Sequence, residues 1–194
     1  NLSAGTYSLD RGWVDVPKTS KVMNSRIGKH VETITIEIAN PEGKGLHTRK
    51  VIYVKEYDFY IIRDTVDDFE GELLFNLPIA AKQSCITGSR IYSEGVFTVD
   101  LETIFVSTVK RVWVEKGRST AFFESGHKQC LMDYVRATSD AREGFLTILY
   151  PKESGQKCLD VTKLDPDRLT IAIGDIELEI NLQQETATVT EIKG

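Results

Sequence analysis

The chemistry this sequence could support gathers around Arg49. A guanidinium takes a carboxylate or a sulfate through two parallel N–H···O bonds, so Arg49 is a candidate substrate-binding residue. His47, on the same apolar run, is the second candidate. Asp64 competes for Arg49. If the apolar runs on either side of Lys55–Asp58 fold back on one another, Arg49 and Asp64 fall opposite each other. A cross-strand ion pair of that kind stabilises a hairpin by roughly 0.2–1 kcal/mol. The pairing accounts for both residues without a ligand, so the structural pair Arg49–Asp64 is the favoured reading, with substrate contact as the alternative. His47 is equally open to a structural role at the start of a strand.

Other chemistries find less to stand on. His30, His47 and His127 are the three histidines, and no two form an H-x-H or H-x-x-x-H pair. Zinc needs three or four converging ligands, so no metal is expected. Gly43-Lys-Gly45 lacks both the spacing of a phosphate loop and the helix that should follow, and no cofactor is expected. There is no G-x-S-x-G, and no serine or cysteine stands in a recognisable arrangement with a histidine and a carboxylate. No catalytic residue is assigned. Asp67-Asp68 falls in a turn, where Asp serves the backbone. Trp13, Trp113, Tyr53 and Tyr60 could stack on sugar rings, but on strands such rings more often fill a core or a contact between domains.

The element that must position Arg49 is a hairpin. His47–Val66 holds two runs rich in Val, Ile, Tyr and Phe around Lys55-Glu-Tyr-Asp58. Glu-Tyr is a poor two-residue turn, which favours the wider loop. Either loop gives one register, with Val51 opposite Ile62 and Tyr53 opposite Tyr60. The two faces are then Val51/Tyr53/Tyr60/Ile62 and Ile52/Val54/Phe59/Ile61. Both are apolar, so this hairpin is expected to be covered on both sides.

Short strand patterns continue on either side. Trp13–Val16 is a candidate ended by Pro17. In Val31–Ile38, Ile34, Ile36 and Ile38 alternate with Thr33, Thr35 and Glu37, a half-buried strand with its isoleucines inward. Asn40–Gly45 is a turn cluster. Further strands are expected over Glu72–Leu77, Arg90–Tyr92, Val96–Leu101, Ile104–Val109, Arg111–Glu115, Ser119–Glu124, Gln129–Arg136 and Phe145–Tyr150. Gly95, Glu102-Thr103, Lys116-Gly117 and Ser125–Lys128 divide them, which places His127 in an exposed turn. Leu169, Ile171 and Ile173 alternate up to Gly174-Asp175, and Ile176, Leu178, Ile180 and Leu182 alternate away from it, a two-residue hairpin. No window has a convincing apolar face at helical spacing. The fold class is therefore all-β, a large antiparallel β-sandwich of the super-sandwich type with little or no helix.

The 194 residues fit one domain. Hydrophobic residues make up 41% and charged residues 27%, as in ordinary globular proteins. The net charge is −5 with Lys and Arg scattered, which gives no footprint for nucleic acid. No apolar run reaches the length of a membrane span. Cys85, Cys130 and Cys158 sit beside apolar residues and are expected as buried free thiols, with a Cys130–Cys158 disulfide the alternative. The chain starts at Asn1 without a signal sequence, as expected of a processed or excised piece.

Four segments carry a family likeness. His47-Thr-Arg49-Lys-Val-Ile-Tyr-Val followed by Tyr60-Ile-Ile-Arg-Asp64 is an H-x-R before one apolar strand and an Asp ending the next. Leu73-Leu-Phe-Asn-Leu-Pro78 and Gly144-Phe-Leu-Thr-Ile-Leu-Tyr-Pro151 follow in order. From about Trp13 to Pro151 the sequence resembles the C-terminal β-sandwich of heparinase II/III-like polysaccharide lyases. Asn76 is a departure, since family members often carry a histidine near that position.

The resemblance implies β-elimination on acidic, uronate-containing polysaccharides such as glycosaminoglycans, in a secreted or periplasmic enzyme. Family members use Tyr and His in a cleft between an N-terminal α/α toroid and the β-sandwich. The resemblance therefore implies that residues 1–194 are the C-terminal part of a longer lyase, a scaffold and cleft wall that is inactive alone. The toroid would be its partner and His47 and Arg49 its contacts with substrate. The alternative is a non-catalytic carbohydrate-binding or adhesive β-sandwich module.

Overall fold

A computed structural model describes residues 7–8, 12–13, 20–39, 45–96, 99–123, 126–153 and 156–191. The chain opens with a two-residue pair, β1 (Tyr7–Ser8) and β2 (Gly12–Trp13), then β3 (Ser20–Ile27) and β4 (Val31–Ala39). The central hairpin is β5 (Leu46–Val54) and β6 (Phe59–Asp67). After it come β7 (Glu72–Ile79), β8 (Ala81–Thr87), β9 (Arg90–Gly95) and β10 (Val99–Phe105). Two long strands, β11 (Arg111–Phe123) and β12 (Gly126–Asp140), precede β13 (Phe145–Glu153). The last four, β14 (Asp160–Asp165), β15 (Arg168–Ile173), β16 (Ile176–Asn181) and β17 (Thr186–Glu191), form a meander. The fold is all-β, and the one helical turn among the described residues is the 3-10 turn Lys55–Tyr57.

Three sheets stack as layers. The middle one has eight strands in the order β3-β4-β5-β6-β13-β10-β9-β8. Successive residues of a strand point to opposite faces, so β13 serves two cores at once. Its Leu146, Ile148 and Tyr150 join Ile52, Val54, Phe59 and Ile61 against Leu169, Ile171, Leu178 and Ile180 of the four-stranded sheet β14-β15-β16-β17. Its Phe145 points the other way. With Ile91 and Phe105 it packs on Phe75, Val135 and Ala137 of the three-stranded sheet β11-β12-β7. Each fully buried aliphatic or aromatic side chain here contributes about 1.5–3 kcal/mol. Polar straps tie the four-stranded layer down. Thr33 Oγ1 donates to Glu185 at 2.9 Å, Lys50 Nζ pairs with Glu185 at 2.9 Å, and Arg63 donates to Asp167 at 2.6 Å.

The central hairpin takes the wider loop. Lys55–Tyr57 forms the 3-10 turn, Asp58 closes it at φ 50°, and Val54 then faces Phe59. Val51 faces Ile62 and Tyr53 faces Tyr60. The terminal hairpin turns on Gly174-Asp175, with Ile173 opposite Ile176.

Several expectations need correction. The second face of the central hairpin is not fully covered: Ile52, Val54, Phe59 and Ile61 are buried, while Val51, Tyr53, Tyr60 and Ile62 are only half-buried. The reason is layer size, because the three-stranded sheet packs on β9, β10 and the start of β13 and stops short of β5. For the same reason β4 turns Thr33 inward at 6% exposure, and Ile34, Ile36 and Ile38 lie on the half-covered side. Glu102-Thr103 is no divider. Both are buried inside β10, where Arg90 neutralises Glu102. Lys116-Gly117 does not end a strand either, since β11 runs through it, and β8 is a strand where the sequence pattern predicts none. His127 lies in β12 opposite Phe122, not in a turn. Cys85 and Cys158 are exposed free thiols, and the side chain of Cys130 lies outside the described residues. The expectations for Val14–Pro17 and most of Asn40–Gly45 also lie outside them.

Candidate functional site

Alternation along β5 puts His47 and Arg49 on one face, and the antiparallel register brings Asp64 of β6 opposite Arg49. The three side chains meet. Arg49 donates from Nε to Asp64 Oδ1 at 2.7 Å and from Nη2 to Oδ2 at 2.9 Å, a bidentate fork. His47 Nε2 stands 2.7 Å from the same Oδ1. Asp64 is 3% exposed and His47 8%, and the Arg49 side chain is 39% exposed. On its other side Asp64 pairs with Phe145 at the start of β13. That approach depends on Gly144, at φ +62°, where a Cβ would stand 2.2 Å from the Asp64 carbonyl oxygen.

Burial pushes the Asp64 carboxyl up, but hydrogen bonds from His47 and Arg49 outweigh it and hold the group below its ordinary range. An ionised Asp64 only accepts, so His47 Nε2 carries the proton between them. His47 Nδ1 is buried with no hydrogen-bond partner among the described residues. Asp64 occupies two of the three nitrogens of Arg49. Nη1 and the second hydrogen of Nη2 remain, so the end-on fork can still take a carboxylate or sulfate while Asp64 stays in place.

Beside the trio lies the half-covered apolar face. Tyr53 and Tyr60 stack at 4.6 Å with their planes 15° apart. Ile34 lies opposite Val51 and Ile36 opposite Arg49, and at the sheet edge Ile27 is 86% exposed. His30 is not part of the trio. It precedes β4 near the hairpin loop and bonds Glu56 at 2.6 Å, while His47 stands at the far end of β5. The groups of three or more His, Cys, Asp or Glu side chains that could hold a metal are absent among the described residues.

Tyr53, Tyr92 and Tyr150 are not poised as bases. A side-chain hydrogen bond to Asp100 pushes Tyr92 up to about 12. The hydrogen bond to Asp58 raises Tyr53, and burial raises Tyr150 despite the nearby Lys152. A general base at neutral pH needs the opposite shift. Tyr150 lines a cleft of about 400 Å³ together with Glu56, Asp58 and Glu153 and the one cation Lys152, a net acidic lining unfavourable to a polyanion. That cleft does not include the His47–Arg49–Asp64 trio.

Sequence reasoning missed two features. One is the buried pair Arg90–Glu102, with Glu102 also accepting from Leu159 N at 3.2 Å. The other is the outer face of the three-stranded sheet, where Trp113, Arg136 and Asn76 stand in one row. The alternation Arg111-x-Trp113-x-Glu115 was its available signal.

Comparison with known proteins gives a likeness of fold. Among solved structures, heparan sulfate lyase HepC from Pedobacter heparinus matches 96% of this chain at 12% identity and TM-score 0.65. A mutant of that lyase matches 95% at the same identity and score. Heparinase III matches 89% at 10% identity and TM-score 0.59. The chain spans 30%, 30% and 27% of those three chains. No protein-family model matches the sequence, and no curated protein matches it.

Proposed function

We propose that residues 1–194 are the β-sandwich portion of a heparinase II/III-like polysaccharide lyase acting by β-elimination on uronate-containing acidic polysaccharide. The observation that carries this reading is the three-layer architecture, matched over almost the whole chain by heparan sulfate lyases of which it spans less than a third. Elimination needs a base and an acid within hydrogen-bond reach of the reacting atoms and a counter-charge for the developing dianion. Tyr92 and Tyr150 are held in their protonated forms and the cleft lining is net acidic, which supports placing the catalytic residues in the longer protein.

This chain then acts as scaffold and cleft wall. His47 is held by Asp64, and Arg49 offers Nη1 to a substrate carboxylate or sulfate. The half-covered face Val51/Tyr53/Tyr60/Ile62 meets the toroid domain, and the enzyme works in the periplasm or outside the cell.

The test compares the purified chain with the longer gene product that contains it, on heparan sulfate, chondroitin, hyaluronan and alginate. Ultraviolet absorbance of the unsaturated uronate product is followed. The longer product is expected to generate the signal and the chain alone to give none. Steady cleavage by the chain alone, abolished by a substitution within it, overturns the scaffold role. No cleavage of any of the four by the longer product overturns the lyase reading.

A further inference from the structure

The outer face of the three-stranded sheet is built differently from the rest of the surface. Register places Trp113, Arg136 and Asn76 in one row across β11, β12 and β7, and Glu115, Tyr134 and Pro78 in the next. Strand spacing makes this a flat patch about 10 Å across. The Arg111 guanidinium lies 4.8 Å from the Trp113 ring centroid, and that of Arg136 lies 5.4 Å from Tyr134. Arg136 donates from Nε to Asn76 Oδ1 at 2.9 Å and pairs with Glu115 through Nη1.

Two features of the patch point to a ligand. Tyr134 lies flat over Gly117, where a Cβ would come within 2.6 Å of the ring, and its hydroxyl donates to Arg118 O at 2.9 Å. The ring is thereby fixed as a floor and not folded into a core. Arg111 is exposed and makes no ion pair among the described residues, unlike Arg49, Arg63, Arg90, Arg136, Arg142 and Arg168. A guanidinium positioned on an aromatic face with its fork unpaired is arranged for an oxyanion. Arg136 is balanced by Glu115, and Asp140 and Glu72, one row beyond Arg111, are taken by Lys110, which leaves Arg111 as the uncompensated cation of the patch.

We propose that this face binds an anionic saccharide, with Arg111 taking a sulfate or carboxylate and Trp113 and Tyr134 forming the apolar floor under the sugar rings. The choice of saccharide over another polyanion rests on the lyase reading above; the anion site rests on the patch itself. Neutral sugars lack the group Arg111 would hold, and an acidic peptide backbone lacks the C–H ring faces that a pyranose lays on aromatic side chains.

The test titrates the full chain, at low ionic strength, with heparin-derived, pectate-derived and neutral cello-oligosaccharides of matched length and with an acidic peptide. Arg111→Gln is expected to weaken the acidic saccharides about tenfold or more. Arg142→Gln, an exposed arginine elsewhere, should leave them unchanged. As a second readout, Trp13→Phe leaves Trp113 as the sole tryptophan, and its emission should shift on saturation with heparin oligosaccharide. No binding by the wild type, equal binding of neutral sugar or acidic peptide, or unchanged affinity in Arg111→Gln overturns the proposal. Loss confined to Arg49→Gln would do so too, while supporting the cleft-wall role. Lyase activity of the longer product decides the reading above independently of all these outcomes.

Discussion

Tyr53 and Tyr60 stack 4.6 Å apart on a face of the middle sheet that the rest of the described chain only half covers. Stacked aromatic pairs contribute about 0.5–1.5 kcal/mol beyond their buried area. Here the pair sits at the loop end of a stripe, and the row Ile34, Val51 and Ile62 lies between it and the polar trio at Arg49. An apolar stripe on a sheet whose opposite face is already packed is available to another surface.

That stripe predicts self-association of the chain on its own. Sedimentation velocity at rising concentration should show a shift to larger species, with binding of a hydrophobic dye. Ile62→Thr with Tyr60→Ser should reduce both. A monomer at all concentrations that binds no dye would contradict a role for this face in covering another domain.

Acid should act through Asp64. Its folded carboxyl lies below its ordinary value: burial opposes ionisation, but His47 and Arg49 outweigh it. A depressed carboxyl contributes stability that is present above the unfolded value, about 3.9, and lost as pH falls through the folded one. Unfolding free energy should therefore fall below about pH 4 in the wild type. Asp64→Asn should be less stable at neutral pH and show a shallower acid limb. An unchanged limb in that variant would remove Asp64 from the acid response.

The fork between Arg49 and Asp64 can be measured directly. Removing Arg49 leaves a carboxylate that is 3% exposed with only His47 beside it, so Arg49→Ala should destabilise by about 3 kcal/mol. A double-mutant cycle with Asp64→Ala should give a coupling of about 1–3 kcal/mol. A coupling near zero would mean that Arg49 points elsewhere in solution.

How far the sequence could be read depends on which forces act locally. Loop length and period-two alternation fix a hairpin register, so Val51 opposite Ile62 and the Gly174-Asp175 turn were legible. Which face goes inward is decided by distant layers, and β4 shows the limit. Its isoleucines were the obvious inward face, yet register with Ile52 turns Thr33 toward the four-stranded layer, where Glu185 receives its hydroxyl. Glu102 looked like a turn because the groups that make its burial tolerable, Arg90 on the neighbouring strand and the Leu159 amide, come from elsewhere in the chain. The His47–Asp64 contact was invisible for a related reason. His47 pairs in register with Val66 and reaches Asp64 diagonally, a relation that side-chain direction decides and spacing does not.

The last prediction concerns how closely β13 approaches Asp64. Gly144 and Gly174 share a left-handed backbone, each at φ +62°. A side chain in that conformation costs about 1–2 kcal/mol at either position. Their surroundings differ. A Cβ at Gly174 would meet nothing within 4 Å, whereas one at Gly144 would stand 2.2 Å from the Asp64 carbonyl oxygen. A backbone atom cannot swing aside as a side-chain tip can, so the strand itself must shift. Gly174→Ala should therefore lose about 1–2 kcal/mol in a denaturant titration, the backbone term alone. Gly144→Ala should lose at least about 2 kcal/mol more, the added penalty of overpacking. It should also disturb the trio, because moving β6 away from β13 moves Asp64 under His47 and Arg49. Chemical shifts of the His47 ring in the two variants would separate the effects, changed in Gly144→Ala and unchanged in Gly174→Ala. Equal losses in the two variants would show that β13 does not approach Asp64 as closely as the structure places it.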